Sequence, residues 1–240
     1  EYFLAYKNNE IVGRIAAIVN WLEVKEQNKN KVRFGWYDVI DDLEVSKKLI
    51  EAVIEFGKER KLSFIEGPVG FSNMDKAGLL THGFNELSTM ITWYHNPYQK
   101  EHLEKLKMKK LAEWVEYRIQ IFDEQKAPKK VKRFSDIIMK RYNLHQLNFK
   151  KTNEIEPYFD EMFELLNQTY NTLQTFVPIQ QYQVDHYKKR YLRYIHPDFI
   201  KSVADKDGKL VAFAITMPSF SRALKKMNGK LFPFGFLRIL

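Results

Sequence analysis

Ala5-Tyr6-Lys7-Asn8-Asn9-Glu10-Ile11-Val12-Gly13 and Ala204-Asp205-Lys206-Asp207-Gly208-Lys209-Leu210-Val211-Ala212 align without a gap, 199 positions apart. Each reads as an alternating strand, a two-residue turn and a second apolar strand. Asn8-Asn9 and Asp207-Gly208 supply the turns, because these residue types tolerate a positive φ. One hairpin written twice at this period predicts two copies of one domain type, not a solenoid.

Outward from the first copy, the pattern alternates strands and helices. Residues 1–6 and 11–20 make the hairpin, 25–31 is a charged loop, and 32–39 is a strand. Residues 43–60 carry Leu43, Leu49, Ile50, Val53, Ile54 and Phe56 at helical spacing, with Asp41 or Asp42 as N-cap. A short strand at 62–66 stops at Gly67-Pro68. Residues 71–92 are rich in turn formers, with one helical turn expected near 76–80. A helix follows at 97–107, and the alternation of 111–122 predicts a strand. The stretch 123–151 is basic, with an amphipathic piece near 134–142, and reads as a connector. Helices at 155–171 and 178–194 precede the second hairpin, whose strands are 199–204 and 209–217. A basic segment and an aromatic run, 221–240, complete the chain.

The 240 residues are 45% hydrophobic, enough for real cores, and no apolar run is long enough to span a membrane. There is no cysteine, which removes disulfides, thiolate metal sites and cysteine nucleophiles and suits a cytoplasmic protein. Both ends read as cut from something longer. The net charge of +9 is uneven: −1 over residues 1–100, +6 over 101–150, −2 over 151–200 and +6 over 201–240. Such an excess is either a solvated face or a footprint for RNA, anionic lipid or a phosphorylated ligand. The sequence holds no Ser-His-Asp pattern, P-loop, EF-hand or Rossmann fingerprint.

The order hairpin, strand, helix, strand, helix, strand resembles the GNAT acyltransferase superfamily from its second strand onward, and helix, helix, hairpin resembles its opening. More narrowly, four strings resemble a bacterial family of uncharacterised GNAT-like proteins. They are Arg33-Phe34-Gly35-Trp36-Tyr37-Asp38, Glu66-Gly67-Pro68-Val69-Gly70-Phe71-Ser72-Asn73-Met74-Asp75, Gly78-Leu79-Leu80-Thr81-His82-Gly83-Phe84 and Leu231-Phe232-Pro233-Phe234-Gly235-Phe236. The resemblance implies an α/β (α+β) fold of two GNAT-like domains, mixed sheets flanked by helices, both incomplete in this chain. Residues 1–122 would be the first domain, 123–151 the basic connector and 152–240 the start of the second.

GNAT enzymes hold the pyrophosphate of acyl-coenzyme A on amides at a helix N-terminus, usually in a Gly-rich basic loop. The matching loop here is Val39-Ile40-Asp41-Asp42-Leu43-Glu44, with three carboxylates and neither Gly, Lys nor Arg. Acyl-CoA is therefore the implied donor but is not expected at that loop. The family's tyrosine acid falls near Leu103, which cannot donate a proton.

Candidate bases are His82 and His95, whose ordinary pKa lies near neutrality, and Glu66, which follows a strand. Each has an ordinary structural reading: a hydrogen-bonded or surface histidine, and a carboxylate that caps or pairs. The glycine-punctuated stretch 67–84 with Asn73, Asp75 and His82, followed by Tyr94 and His95 in an aromatic run, is expected to line a substrate pocket. The alternative is a loop whose polar groups satisfy its own backbone. No metal site is expected.

The implied activity is acyl transfer from a thioester such as acyl-CoA to a small-molecule amine. Two alternatives stand beside it: a non-catalytic module binding a ligand or protein, and an aminoacyl-tRNA-dependent transferase, for which the basic connector would meet RNA.

Overall fold

A computed structural model describes residues 1–89, 91–119, 128–173 and 175–238. The chain divides into two compact units, Glu1–Trp114 with Gln174–Val177 and Ser219–Leu240, and Val115–Leu173 with Pro178–Pro218. The tail, read from sequence with the second domain, belongs to the first unit.

The first unit is a four-stranded sheet in the order β1-β2-β3-β4. Strands β1 (Tyr2–Lys7), β2 (Glu10–Ile18) and β3 (Lys31–Val39) are antiparallel neighbours, and β4 (Phe64–Glu66) runs parallel to β3. A parallel pair needs a crossover, and α2 (Leu43–Glu59) supplies it. Asp42 starts α2, its side chain accepting from the Glu44 N–H. Leu49, Ile50, Val53 and Phe56 of α2 pack on Ile15, Ala17, Val32 and Phe34 of the sheet. Ile54, counted with them by periodicity, is left at the edge of that face.

Between β2 and β3 a short helix, α1 (Trp21–Lys25), precedes the expected loop and shares Lys25 with it; Asn20 caps it and it buries Glu23. The helix α3 (Pro97–Lys105) has Pro at its first turn and buries Leu103 in the same core. Residues 71–89 are irregular as expected, but no helical turn forms at 76–80. Ala77 instead bridges back to Val69, and the Gly78 N–H donates to the Pro68 carbonyl. The strand expected at 111–122 is absent from 111–119, where no backbone ladder forms, and 120–122 lie outside the described residues. Alternation alone does not make a strand without a neighbour to pair with. The tail carries α7 (Ser221–Lys226), whose Ser221 hydroxyl donates to the Ser88 carbonyl.

The second unit is a three-stranded antiparallel sheet, β5-β6-β7, of β5 (His145–Leu147), β6 (Ile200–Ala204) and β7 (Leu210–Ile215). Sequence reading placed β5 inside the connector. Of that connector, 123–127 lie outside the described residues, and the rest contains α4 (Lys129–Arg141) and β5. Helices α5 (Phe159–Tyr170) and α6 (Gln181–Tyr191) are both shorter than their apolar patterns, Pro157 holding the approach to α5 in 3-10 turns. Ile155 and Met162 pack with Ile200 and Leu210, and Phe159 and Phe163 with Ile179 and Val184. The fold is therefore α+β, with two sheets flanked by helices.

The two copies of the repeat both form hairpins, and each is bulged at the same aligned position. Val12 is extra between the pairs Ala5–Gly13 and Tyr6–Ile11, and Val211 between Val203–Ala212 and Ala204–Leu210. The turns differ. Asn8 and Asn9 both have positive φ, 53° and 64°, and close a two-residue turn between Lys7 and Glu10. In the second copy Gly208 has φ +81°, while the Asp205 carboxylate accepts from the N–H groups of Asp207 and Lys209. The Asp205 N–H also donates to the Lys209 carbonyl. That makes a three-residue loop, not the two-residue turn the alignment predicted. The Asp205 side chain offers the backbone partners that an Asn-Asn pair does not need.

Candidate functional site

Strands β3 and β4 pair over Lys31–Phe64, Val32–Ile65 and Arg33–Glu66. Beyond that point the Val69 N–H still donates to the Phe34 carbonyl, and the chain then folds over β3. Gly35 permits this approach, because a Cβ there would meet the Val69 carbonyl oxygen at 2.6 Å. The next residue, Trp36, has φ +49°, where a bulky side chain is strained. Arg14 pairs with Asp38 and Ala16 with Gly35, so Trp36 and Tyr37 together oppose Ile15: β3 is bulged here.

The bulge and the folded loop form a cavity of about 200 Å³, lined by Gly35, Trp36, Gly70, Asp75, Lys76 and Trp93, with Met74 beside them. Trp36 and Trp93 meet edge to face at 6.1 Å, and the Lys76 ammonium lies 5.6 Å from the Trp93 ring centre. Burial lowers the Lys76 pKa below the ordinary lysine value. Asp75 is fixed by the turn it closes, accepting from the Ser72 N–H at 2.9 Å. One carboxylate, one partly desolvated amine and two indole faces can bind a cation at the carboxylate and aromatic side and hold an apolar group against Met74.

Of the individual residues expected in a pocket, Asp75 alone lines this cavity. Asn73 sits in the same turn, with its Oδ1 buried and unpartnered among the described residues. His95 is buried behind the Trp93 ring, 6.1 Å between centres, and its Nδ1 accepts from the Leu80 N–H. Burial lowers its pKa, against the pull of Asp38 and a backbone bond, so it stands neutral at neutral pH. His82 is exposed and bonds the Thr81 hydroxyl, and Tyr94 is exposed against Phe84. Gly70, Met74 and Lys76 come from the expected stretch 67–84 and Trp93 opens the expected aromatic run, but Trp36 was missed as a pocket residue. The available signal was Gly35-Trp36 inside a strand, since an interior glycine marks a bulge or a close approach.

Glu66 is not available as a base toward the cavity. It belongs to a buried ion cluster in which Lys31 Nζ lies 2.7 Å from Glu66 and 2.8 Å from Glu23, and Arg33 grips Glu23 with Nε at 2.7 Å. Arg33 also donates to the carbonyls of Gly70 and Thr175. Two cations and two carboxylates thus pin the start of the cavity loop. Burial pushes the Glu23 pKa up, but hydrogen bonds from Arg33 and Lys31 prevail and hold it below the ordinary value.

The loop at 39–44 is engaged with its own chain. Asp42 caps α2 and is paired with Lys7 at 3.0 Å, which lowers its pKa. Asp41 meets His102 Nε2 at 3.2 Å, His102 Nδ1 meets the Ser46 hydroxyl at 2.8 Å, and Tyr37 donates to Ser46 at 2.7 Å. Burial pushes the Tyr37 phenol up to about 12, so it remains a donor. Among the described residues no group of three His, Cys, Asp or Glu could hold a metal ion.

A second cavity, of about 360 Å³, has apolar walls from Tyr2, Ile18, Trp21, Phe56 and Phe71, with Arg60 as a charged group. Among the described residues no helix is long and apolar enough to cross a membrane.

No family model matches the chain, and no solved structure does. It is similar to the protein named YghO of Escherichia coli (strain K12), 28% identical over 99% of this chain and 60% of that protein. It is also similar to a bacterial ceramide synthase of Caulobacter vibrioides (strain NA1000 / CB15N), 23% identical over 100% of this chain and 62% of that protein. The chain therefore spans about three-fifths of the length of each of these relatives.

Proposed function

We propose that this chain is part of an N-acyltransferase that joins an acyl group from a thioester to the amine of a lipid-like acceptor. The observation that carries the reading is the cavity at the bulge of β3, where Asp75 and two indoles face one small space. Similarity to a ceramide synthase along the whole chain supports the reaction class, since a ceramide is a fatty amide of a long-chain amino alcohol. The order of β1 to β4 with the α2 crossover supports a GNAT-like reading of the first unit.

In this reading the acceptor enters as an ammonium ion, held by the Asp75 carboxylate and the faces of Trp36 and Trp93. After losing a proton its nitrogen attacks the thioester carbonyl. The C–N bond forms, the C–S bond breaks, and the thiolate leaves with the proton released from nitrogen. In this reading the Lys76 amine, which lines the same cavity, moves that proton. A bulge leaves one residue outside the ladder, and in this reading a β3 amide at the bulge meets the oxyanion.

The test incubates the full-length protein with acyl-CoA donors of several lengths and long-chain amines, and detects the amide by mass spectrometry. Amide formation is expected, with kcat/KM down at least tenfold in Asp75→Asn and in Lys76→Met at unchanged melting temperature. Absence of amide with every donor and acceptor pair, or full activity in both variants, would overturn the reading.

A further inference from the structure

We infer that α4 is a docking surface for an anionic lipid bilayer, lying in the plane of the headgroups. Not one side chain of this 13-residue helix is buried. Val131, Phe134 and Ile138 fall on one stripe at i, i+3 and i+7, and all three are exposed, by 61%, 53% and 48%. The helix holds six Lys and Arg against the single Asp136. At 100° per residue, Lys130 and Arg141 lie beside the stripe, while Lys129, Lys132, Arg133 and Lys140 point away from it. The Lys130 ammonium leans over the Phe134 ring, 5.8 Å from its centre.

An apolar stripe and a cationic margin ask for two things of one partner: an apolar medium below and negative charge beside it. A bilayer with anionic headgroups supplies both in the geometry of a helix half sunk at the boundary. RNA would answer the cations but leave the aliphatic stripe in water. A protein groove would cover the stripe but needs a dense acidic rim to match six cations. Isolated helices of this length are marginal in water, and no side chain caps its first turn, so a surface that orders the helix accounts for its pattern. The inference stands without the acyl-transfer reading.

The full-length protein is sedimented with vesicles of phosphatidylcholine alone and of phosphatidylcholine mixed with phosphatidylglycerol, over a salt series. Binding to the mixed vesicles is expected, weak on phosphatidylcholine and falling as salt rises. Phe134→Glu with Ile138→Glu, and separately Lys130→Glu with Lys132→Glu, should each weaken it at least tenfold, with Phe134→Leu close to the parent. Melting temperatures should stay unchanged, because the substituted side chains are exposed. Binding indifferent to these changes, or no binding to vesicles, overturns the inference. So does retention on RNA that survives Phe134→Glu, which would make the surface a nucleic-acid site. A collapse of the melting temperature in the glutamate variants would mean that further chain covers the stripe, and also overturns it. Amide synthesis in detergent, measured on the same variants, separates this outcome from failure of the proposed reaction.

Discussion

Glu23, Lys31, Arg33 and Glu66 are charged residues in positions where sequence patterning expects strand, loop or catalytic chemistry, yet all four are buried. Burying ions is costly unless the set is complete, and removing one member leaves the others uncompensated. Glu23→Gln is therefore expected to cost about 3–5 kcal/mol in urea denaturation, far more than Glu44→Gln, whose exposed pairing with Lys47 is worth little. Acid should act on the same group. The folded pKa of Glu23 lies below its unfolded value, so its contribution is full above the ordinary carboxylate range and is lost as pH falls through the lowered value. His95 has the same sign at higher pH. Burial makes the folded histidine bind its proton less readily than the unfolded one, so stability is present above the ordinary histidine pKa and falls as pH drops below it. His95→Gln, which keeps an acceptor for the Leu80 N–H, should flatten the stability profile just below the ordinary histidine pKa while leaving the loss in stronger acid. None of this was visible in one dimension, because Glu23 and Lys31 become partners only after β3 folds back along α1.

At the scale of elements, the hairpins test how far local chemistry carries. Asn9 and Gly208 occupy aligned positions with positive φ, so Asn9→Val and Gly208→Val should each destabilise by about 1–2 kcal/mol, while Asn9→Gly should be neutral or better in thermal melts. Asp205→Ala should loosen the second hairpin, where the carboxylate holds the loop N–H groups, whereas Tyr6→Ala at the aligned position leaves the first turn intact. The hairpins, α2 and α3 were legible because each carries its own signal: turn residues, an aspartate cap, a proline at the first turn. What failed lacked a local cause. Residues 111–119 alternate but have no ladder, and β5 is three residues long and exists by pairing with β6. The cavity was half legible. The loop announced itself through Gly67, Gly70 and Asp75, but Trp36 enters through a bulge that only the β2–β3 register reveals. The hydrogen-bonded line Tyr37, Ser46, His102 ties β3, α2 and α3 together. Ser46→Ala strands two buried polar groups and should cost about 1–3 kcal/mol in the same melts.

For the whole molecule the open matter is where an acyl thioester would be held. If the first unit is GNAT-like, as proposed, a pyrophosphate would be sought at the N-terminus of α2, where an anion needs free amides and positive potential. Here the Asp42 carboxylate already accepts from the first turn, Lys7 is committed to Asp42, and Asp41 and Glu44 add negative charge close by. A pyrophosphate arriving there would displace an internal cap and meet like charge. The donor is therefore expected to bind away from this loop. Two variants of the full-length protein separate the possibilities. Lys7→Ala and Asp41→Ala alter the charge at the α2 N-terminus without touching the cavity. If the donor does not use this loop, both should leave the KM for acyl-CoA within about twofold of the parent, a change of roughly 0.4 kcal/mol on the scale where tenfold is 1.4. Asp75→Asn should instead raise the KM for the amine. A large fall in the acyl-CoA KM on removing Asp41, or its loss on removing Lys7, would place the donor at the loop after all and make the carboxylates a gate on its entry.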